Sequence, residues 1–144
     1  MGAFEVGDQV AEYPVELSTD ECLERLGAQS VGRVVFCVDG HPQVYPVNFA
    51  IHDGTIVFRA SPYGPMAALQ AQHSEVAFEV DELDPENHQG WSVIAHGDAE
   101  PLDGSQTRKL TVLRKLEPWA AGSRALHFRL IPRQLTGRLF GSDH

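Results

Sequence analysis

Two Asp-Gly dipeptides, at positions 39–40 and 53–54, constrain this chain more than any other feature. They separate three runs rich in β-branched and aromatic residues: Val31–Val38, Gln43–Ile51 and Thr55–Ala60. Such runs favour strands, and Asp-Gly between them favours a tight hairpin turn. The expected product is an antiparallel meander. On its middle strand Gln43, Tyr45, Val47, Phe49 and Ile51 share one face and Val44, Pro46, Asn48 and Ala50 the other. Pro46 cannot donate to a ladder, so it predicts an edge or a bulge.

The remaining segments extend this pattern. Ser18-Thr19-Asp20-Glu21 reads as a capping box that opens a helix over residues 19–28, with Cys22, Leu23 and Leu26 at helical spacing. Ser61-Pro62-Tyr63-Gly64-Pro65 breaks the third strand, and Pro65 is placed to open a helix over Met66–Gln72. Glu75–Asp81 alternates, with Val76, Phe78 and Val80 inward; a polar loop over 82–89 leads to a further strand over Trp91–Ala99. Asp103 caps a second helix running through Leu116, and Leu126, Phe128 and Leu130 begin extended structure that continues past Pro132 to Phe140. Residues 1–16 read as an N-terminal arm. Six or seven strands with two or three short helices, joined early by tight turns, predict a closed or partly closed antiparallel barrel in one domain over 1–144.

Charge narrows the partners. Twenty acidic residues face 11 basic ones, for a formal net charge of −9, and the only lysines are Lys109 and Lys115. A phosphate backbone or an anionic membrane surface is a poor match, so neither nucleic acid nor membrane is expected. No apolar run reaches the roughly 18 residues of a membrane helix, and the N-terminal residues carry acids without a basic leader, which predicts a cytoplasmic protein. Cys22 and Cys37 have no partner at metal or redox spacing and are expected to be buried, inert thiols. The seven histidines form no pair at i, i+3 or i+4, so no metal site is expected. No nucleophile elbow or phosphate-cradling glycine loop is present, which removes hydrolase and nucleoside-triphosphatase readings.

Read together, VYPVNFAIHDGTIVFRASPYGPMAAL (44–69), GRVVFCVDGHPQVYPVNF (32–49), AFEVDELDP (77–85), GWSVIAHGDAE (90–100), Pro118-Trp119 and PRQLTGR (132–138) resemble the pyridoxamine 5'-phosphate oxidase-like split barrels. Their order and spacing carry the resemblance, which covers about residues 17–140. It implies a mainly β fold with short helices, a six-stranded antiparallel FMN-binding split barrel. It also implies a homodimer with two flavin mononucleotide sites at the subunit interface, and a phosphate gripped where the third strand passes into its helix. Physically, a phosphate wants cations and free amides, and an isoalloxazine ring wants a flat apolar wall with donors at its polar edge.

On that resemblance the cofactor-binding residues are Val47, Asn48, Arg59, Ala60, Ser61, Tyr63, Gly64, Met66 and Trp91. The loop departs from the family's pattern, with Pro65 or Met66 standing where a lysine usually grips the phosphate. Pro62 and Pro65 also remove two amides, leaving those of Ser61, Tyr63, Gly64 and Met66. Loss of a charge-assisted hydrogen bond costs about 1.5 to 3 kcal/mol, or roughly ten- to a hundred-fold in affinity. Arg59 is either an anion contact or a partner of Glu75, Glu79 or Asp81. Asn48 either meets the ring's pyrimidine edge or is a structural strand residue. Trp91 and Trp119 line a ring or pack in the core or interface, and Tyr63 either stacks on a bound ring or fills its pocket.

Three functions are therefore carried forward: a flavin-dependent oxidoreductase acting on a small molecule, a non-catalytic binder of flavin, deazaflavin coenzyme or haem, and a cofactor-free dimer whose pocket is filled by Tyr63, Met66 and Trp91. Flavin mononucleotide ranks first and deazaflavin second. Oxidation of pyridoxamine phosphate itself is not expected, because the C-terminal TGRLFGSDH offers only Arg138 to a substrate phosphate.

Overall fold

The computed structural model describes residues 14–71, 74–110 and 125–141. Its elements in order are β1 (Val15–Leu17), α1 (Thr19–Gly27), β2 (Val31–Val38), β3 (His41–His52), β4 (Thr55–Ala60), a 3-10 helix (Pro65–Gln70), β5 (Ser74–Asp84), β6 (Gln89–Pro101), α2 (Gly104–Lys109) and β7 (Leu126–Phe140). The two Asp-Gly turns form as the sequence predicts. Val38 pairs with His41 and His52 with Thr55, leaving two-residue loops. Asp39, Gly40, Asp53 and Gly54 all take positive φ, between 48° and 79°, as this hairpin turn requires.

The strands lie in the order β1-β7-β4-β3-β2-β5-β6, and β7 also pairs with β6. Six strands thus close into a ring, the split barrel expected. The short β1 joins β7 beside its C-terminal end, Val15 opposite Leu139, so the residues read as an arm already contribute a strand at 15–17. One bulge re-aims β7: His96 pairs with Gln134 but Gly97 with Pro132, leaving Arg133 unpaired in the ladder. A Cβ at Gly97 would strike the Ile131 carbonyl, which is why the strand needs glycine there. Arg133 turns outward and bridges Glu75 at 2.9 Å and Asp98 at 3.0 Å.

Alternation decides what fills the ring. Val47 and Phe49, Ile56 and Phe58, Val76, Phe78 and Val80, Trp91, Val93 and Ala95, and Phe128 and Leu130 all point inward and are buried. Phe78 sits at the centre, edge-on to Phe49 at 5.2 Å between ring centroids and tilted against Phe58 at 5.7 Å; Phe58 stacks on Phe128 at 5.4 Å. Four strands are thereby joined by one aromatic chain. The capping box holds α1, with Ser18 Oγ accepting from the Glu21 amide at 3.2 Å and Glu21 Oε1 from the Ser18 amide at 2.8 Å. Its apolar face places Cys22 and Leu26 in the core. The helix fits because Gly137 lacks a side chain: a Cβ there would lie 2.7 Å from Cys22 Sγ. Burial pushes the Cys22 thiol up, and Glu21 adds to this.

Several expectations change. Cys37 is exposed rather than buried, because odd positions of β2 face outward. The polar stretch 82–89 narrows to a four-residue turn over 85–88, since β5 runs to Asp84 and β6 starts at Gln89; backbone pairing continues past the point where side chains leave the core. The helix after Pro65 is a single 3-10 segment ending at Gln70. Helix α2, capped by Asp103 and Gln106 in a reciprocal box, stops at Lys109, with Leu110 extended. The rest of its expected span and the Pro118-Trp119 turn lie outside the described residues.

On the outer face, Arg33 on β2 contacts both Glu79 at 2.9 Å and Asp81 at 3.3 Å on β5. One guanidinium serves two carboxylates. Burial, reinforced by Asp81, pushes Glu79 up to about 7 despite Arg33 pulling the other way. The native state therefore keeps a proton that the unfolded chain has released between its ordinary 4.5 and about 7, and stability falls as pH rises through that window. Urea denaturation at about pH 5 and about pH 8 should show this loss in the wild type and little of it in Glu79→Gln. In the core, Phe78→Ala should cost about 3 to 5 kcal/mol in the same assay.

Candidate functional site

The site builds outward from the unequal lengths of β3 and β4. Their pairing runs from His52–Thr55 to Phe49–Phe58 and goes no further, whereas β3 pairs with β2 from Asn48 back to His41. The Phe49 amide donates to the Ser30 carbonyl at 3.0 Å, which turns the amides of odd β3 residues toward β2. Even residues then aim away from it. Among the described residues no strand meets them before Ala50, so positions 42–48 form an edge, as Pro46 predicts. Pro42 and Pro46 fall on this edge, where neither proline breaks a ladder bond. Val44 presents both an amide and a carbonyl there and Asn48 its amide, while the Phe49–Phe58 pair sets the Asn48 carbonyl against the Arg59 amide.

Alternation sorts the nine expected residues into two groups. Val47, Ala60, Met66 and Trp91 face the core and are buried. Asn48 and Arg59 lie on the outer face, at the positions just past the Phe49–Phe58 pair on adjoining strands. Ser61, Tyr63 and Gly64 follow in the turn after β4. The next outer row is Ala50 and Val57, which Leu102 and Leu110 cover. Asn48, Arg59 and the turn therefore flank an apolar ledge contributed by the segment around α2. Glu79 and Asp81 contact Arg33, and Glu75 contacts Arg133.

The turn itself is self-satisfied. The Tyr63 amide donates to Ser61 Oγ at 3.1 Å and the Gly64 amide to the Ser61 carbonyl at 3.5 Å. Two of the four amides expected for a phosphate are thus spent inside the turn, and Pro62 and Pro65 have none. Tyr63 is 89% exposed, so it does not fill a pocket with Met66 and Trp91; those two pack in the core without it.

Trp91 sits far from this turn within one chain. It pairs with Leu139, whereas Ala60 pairs with Leu126 on the same strand, a separation of roughly 40 Å along β7 at about 3.3 Å per residue. Its Nε1 donates to Glu82 at 3.3 Å, and the Arg25 guanidinium lies 5.6 Å from the ring centroid. A cavity of about 530 Å³ opens there, walled also by Leu139 and Phe140, but the tryptophan's donor and one face are already engaged.

His127, which no sequence motif marks, is brought to the site by the structure. It pairs with Arg59 across β4 and β7, and the Leu102 amide donates to its carbonyl at 2.9 Å. Burial pushes the His127 imidazole below its ordinary range, and the charge of Arg59 pushes it the same way. At neutral pH it is uncharged. Outward alternation was readable for His127, but its neighbour follows only from the register of strands distant in sequence.

The donor set suits one kind of group well and another poorly. An edge offering amides and carbonyls in alternation, the Asn48 carboxamide and an apolar ledge match a flat heterocycle with both donors and acceptors on its rim. Arg59 supplies one cationic contact for an anion. For a monophosphate the turn has the Ser61 and Met66 amides left to offer beside Arg59, the Tyr63 and Gly64 amides being used within it.

The family described as pyridoxamine 5'-phosphate oxidase matches residues 18–139. An uncharacterized protein of Mycobacterium tuberculosis, Rv0080, is 31% identical over 141 residues, spanning 94% of this chain and 91% of that one. The solved structure of a FAD-binding protein from Mycobacterium smegmatis is 33% identical with a TM-score of 0.71, covering 88% of this chain and 99% of the other. A FAD-binding protein from Mesorhizobium loti is 29% identical with a TM-score of 0.72, covering 86% and 94%.

The Arg59–His127 pairing makes a direct prediction. Followed by NMR, the His127 imidazole should titrate below the ordinary histidine range, and Arg59→Ala should move it upward; no movement would show that burial alone sets it.

Proposed function

The chain belongs to the pyridoxamine 5'-phosphate oxidase family, and from that premise we propose that it is a flavin-binding protein that works as a homodimer in electron transfer to or from a small organic molecule. The observation that carries this is the edge of β3 over residues 42–48, which no described strand covers and whose Val44 amide and carbonyl and Asn48 amide adjoin Arg59. The sequence relatives named as FAD-binding support the cofactor class. A bound isoalloxazine supplies the redox chemistry, so no side-chain acid or base is required.

In this reading Val44 and Asn48 orient the ring through their backbone groups, and the Asn48 carboxamide donates to and accepts from its polar rim. Leu102 and Leu110 keep water from one side. Arg59 meets the nucleotide phosphate, and the neutral His127 beside it adds no competing charge. Flavin mononucleotide is the smallest nucleotide that satisfies these contacts. The homodimer rests on family membership, with Val44 at 57% exposure and Val31 and Ile94 also exposed on the outer faces as apolar area for a second copy to cover. The two free thiols and the lack, among the described residues, of any helix long and apolar enough to cross a membrane are in keeping with a cytoplasmic protein.

The test is a titration of flavin-free protein with flavin mononucleotide, watching flavin fluorescence. Saturable quenching at one equivalent per chain is expected, and Arg59→Ala and Asn48→Ala should each weaken it by about five- to fifty-fold. Absence of saturable quenching up to about 1 mM, a binding free energy of only about −4 kcal/mol, would sink the proposal.

A further inference from the structure

The end of the barrel away from the β4 turn holds a second concave surface. A cavity of about 530 Å³ opens between the last turn of α1, the far end of the β5–β6 hairpin and the close of β7. Small-molecule sites commonly measure about 300 to 1,000 Å³. A hollow of about 320 Å³ continues from it over Leu83, Pro85 and Phe140, and Leu83 is 56% exposed, so apolar area here is left to water. The rim is already braced: Asp84 accepts from the Asn87 amide at 3.3 Å and from its carboxamide at 2.7 Å. A ligand need not order this turn in order to bind.

Two opposite charges line the cavity without pairing. Glu82 spends one carboxylate oxygen on Trp91 Nε1 at 3.3 Å, and the Arg25 guanidinium lies 5.6 Å from the centroid of the same indole. Trp91 thus fixes both groups, one on its face and one at its edge. Among the described residues no hydrogen bond or ion pair engages the N–H groups of Arg25, and none joins it to Glu82. Glu21, one turn back on the helix, is held instead by the Ser18 amide. A guanidinium carries five donors in a fixed fork that fits a carboxylate, and here that fork is held in place with its donors unspent.

We infer that this cavity binds a small zwitterion with an apolar body, of the class of an apolar α-amino acid. Arg25 takes its carboxylate, Glu82 its ammonium, and Leu83, Pro85 and Phe140 its side chain. A simple organic anion meets Glu82 and Asp84, and a simple cation meets Arg25, so a single charge is opposed where the zwitterion is matched. The cavity is separate from the β3 edge, and the inference does not depend on the flavin reading.

The test is a titration of the full chain with L-phenylalanine, followed by two-dimensional nitrogen–proton NMR. The Trp91 indole N–H, identified by its loss in Trp91→Phe, and the Arg25 Nε–H should shift together and saturate with a Kd of about 1 mM. 3-Phenylpropanoate and 2-phenylethylamine carry the same ring with one charge each, and both should bind at least about tenfold more weakly. Arg25→Gln and Glu82→Gln should each weaken L-phenylalanine by at least about tenfold, and Glu82→Gln should also erase its advantage over 3-phenylpropanoate. Neither side chain is buried, so both variants should unfold at the wild-type urea midpoint. Saturating FMN should leave the L-phenylalanine affinity unchanged. No saturable shift up to about 20 mM, equal binding of the three compounds, full affinity in Arg25→Gln, or displacement by FMN would each overturn the inference, and none of these outcomes counts against the flavin reading.

Discussion

Closure of the sheet by β7 is the constraint on which everything else depends. This strand hydrogen-bonds β4 through residues 126–130 and β6 from Phe128 to Phe140, so it is the seam of the ring. Without it the aromatic chain from Phe49 through Phe78 and Phe58 to Phe128 would lack its last member, and β4 and β6 would both be free edges. The seam also carries the devices that admit other elements. Gly137 makes room for Cys22 of α1, and the bulge at Arg133 lets a fifteen-residue strand follow the curvature of β6. His127 reaches Arg59 only because β7 crosses from one side of the barrel to the other.

The candidate site arises where this closure is incomplete. Strand β3 is twice the length of β4, twelve residues against six, so its first half outruns the partner that would have covered it. The chain leaves β4 through a proline-bracketed turn at that very level. An open edge, one guanidinium and an aromatic apex are thereby collected on the outer surface, while Val47, Ala60 and Met66 behind them belong to the core that holds the surface still. The residues expected from the resemblance thus divide into those on the outer surface and those packed in the core behind it.

Local signals in the sequence were sufficient for the local structure. Both Asp-Gly turns, the Ser18–Glu21 capping box, the inward set Val76, Phe78 and Val80, and the edge character of Pro46 all depend on residues within a few positions of one another. The misread features are non-local. Strand β1 exists because Leu139 is beside it; the polar residues Glu82 and Asp84 stay in a strand because Trp91 and Gln89 pair with them; Cys37 is exposed because nothing covers its face of β2. For the candidate site, the resemblance pointed to Asn48, Arg59 and the turn, and their common place on the outer surface, the Arg59–His127 neighbourhood and the internal use of the Tyr63 and Gly64 amides follow from the register and the turn geometry.

The prolines of β3 have a consequence beyond positioning a ligand. An uncovered strand edge ordinarily invites another polypeptide to add its own strand, the first step of domain swapping and amyloid-like association. At positions 42, 44, 46 and 48 an incoming chain would find donors at only two, Val44 and Asn48, and its own carbonyls opposite Pro42 and Pro46 would find none. A planar small molecule needs only one or two such groups and is not hindered by the gaps. The edge therefore discriminates by length of contact, tolerating a compact planar group while resisting a second polypeptide strand.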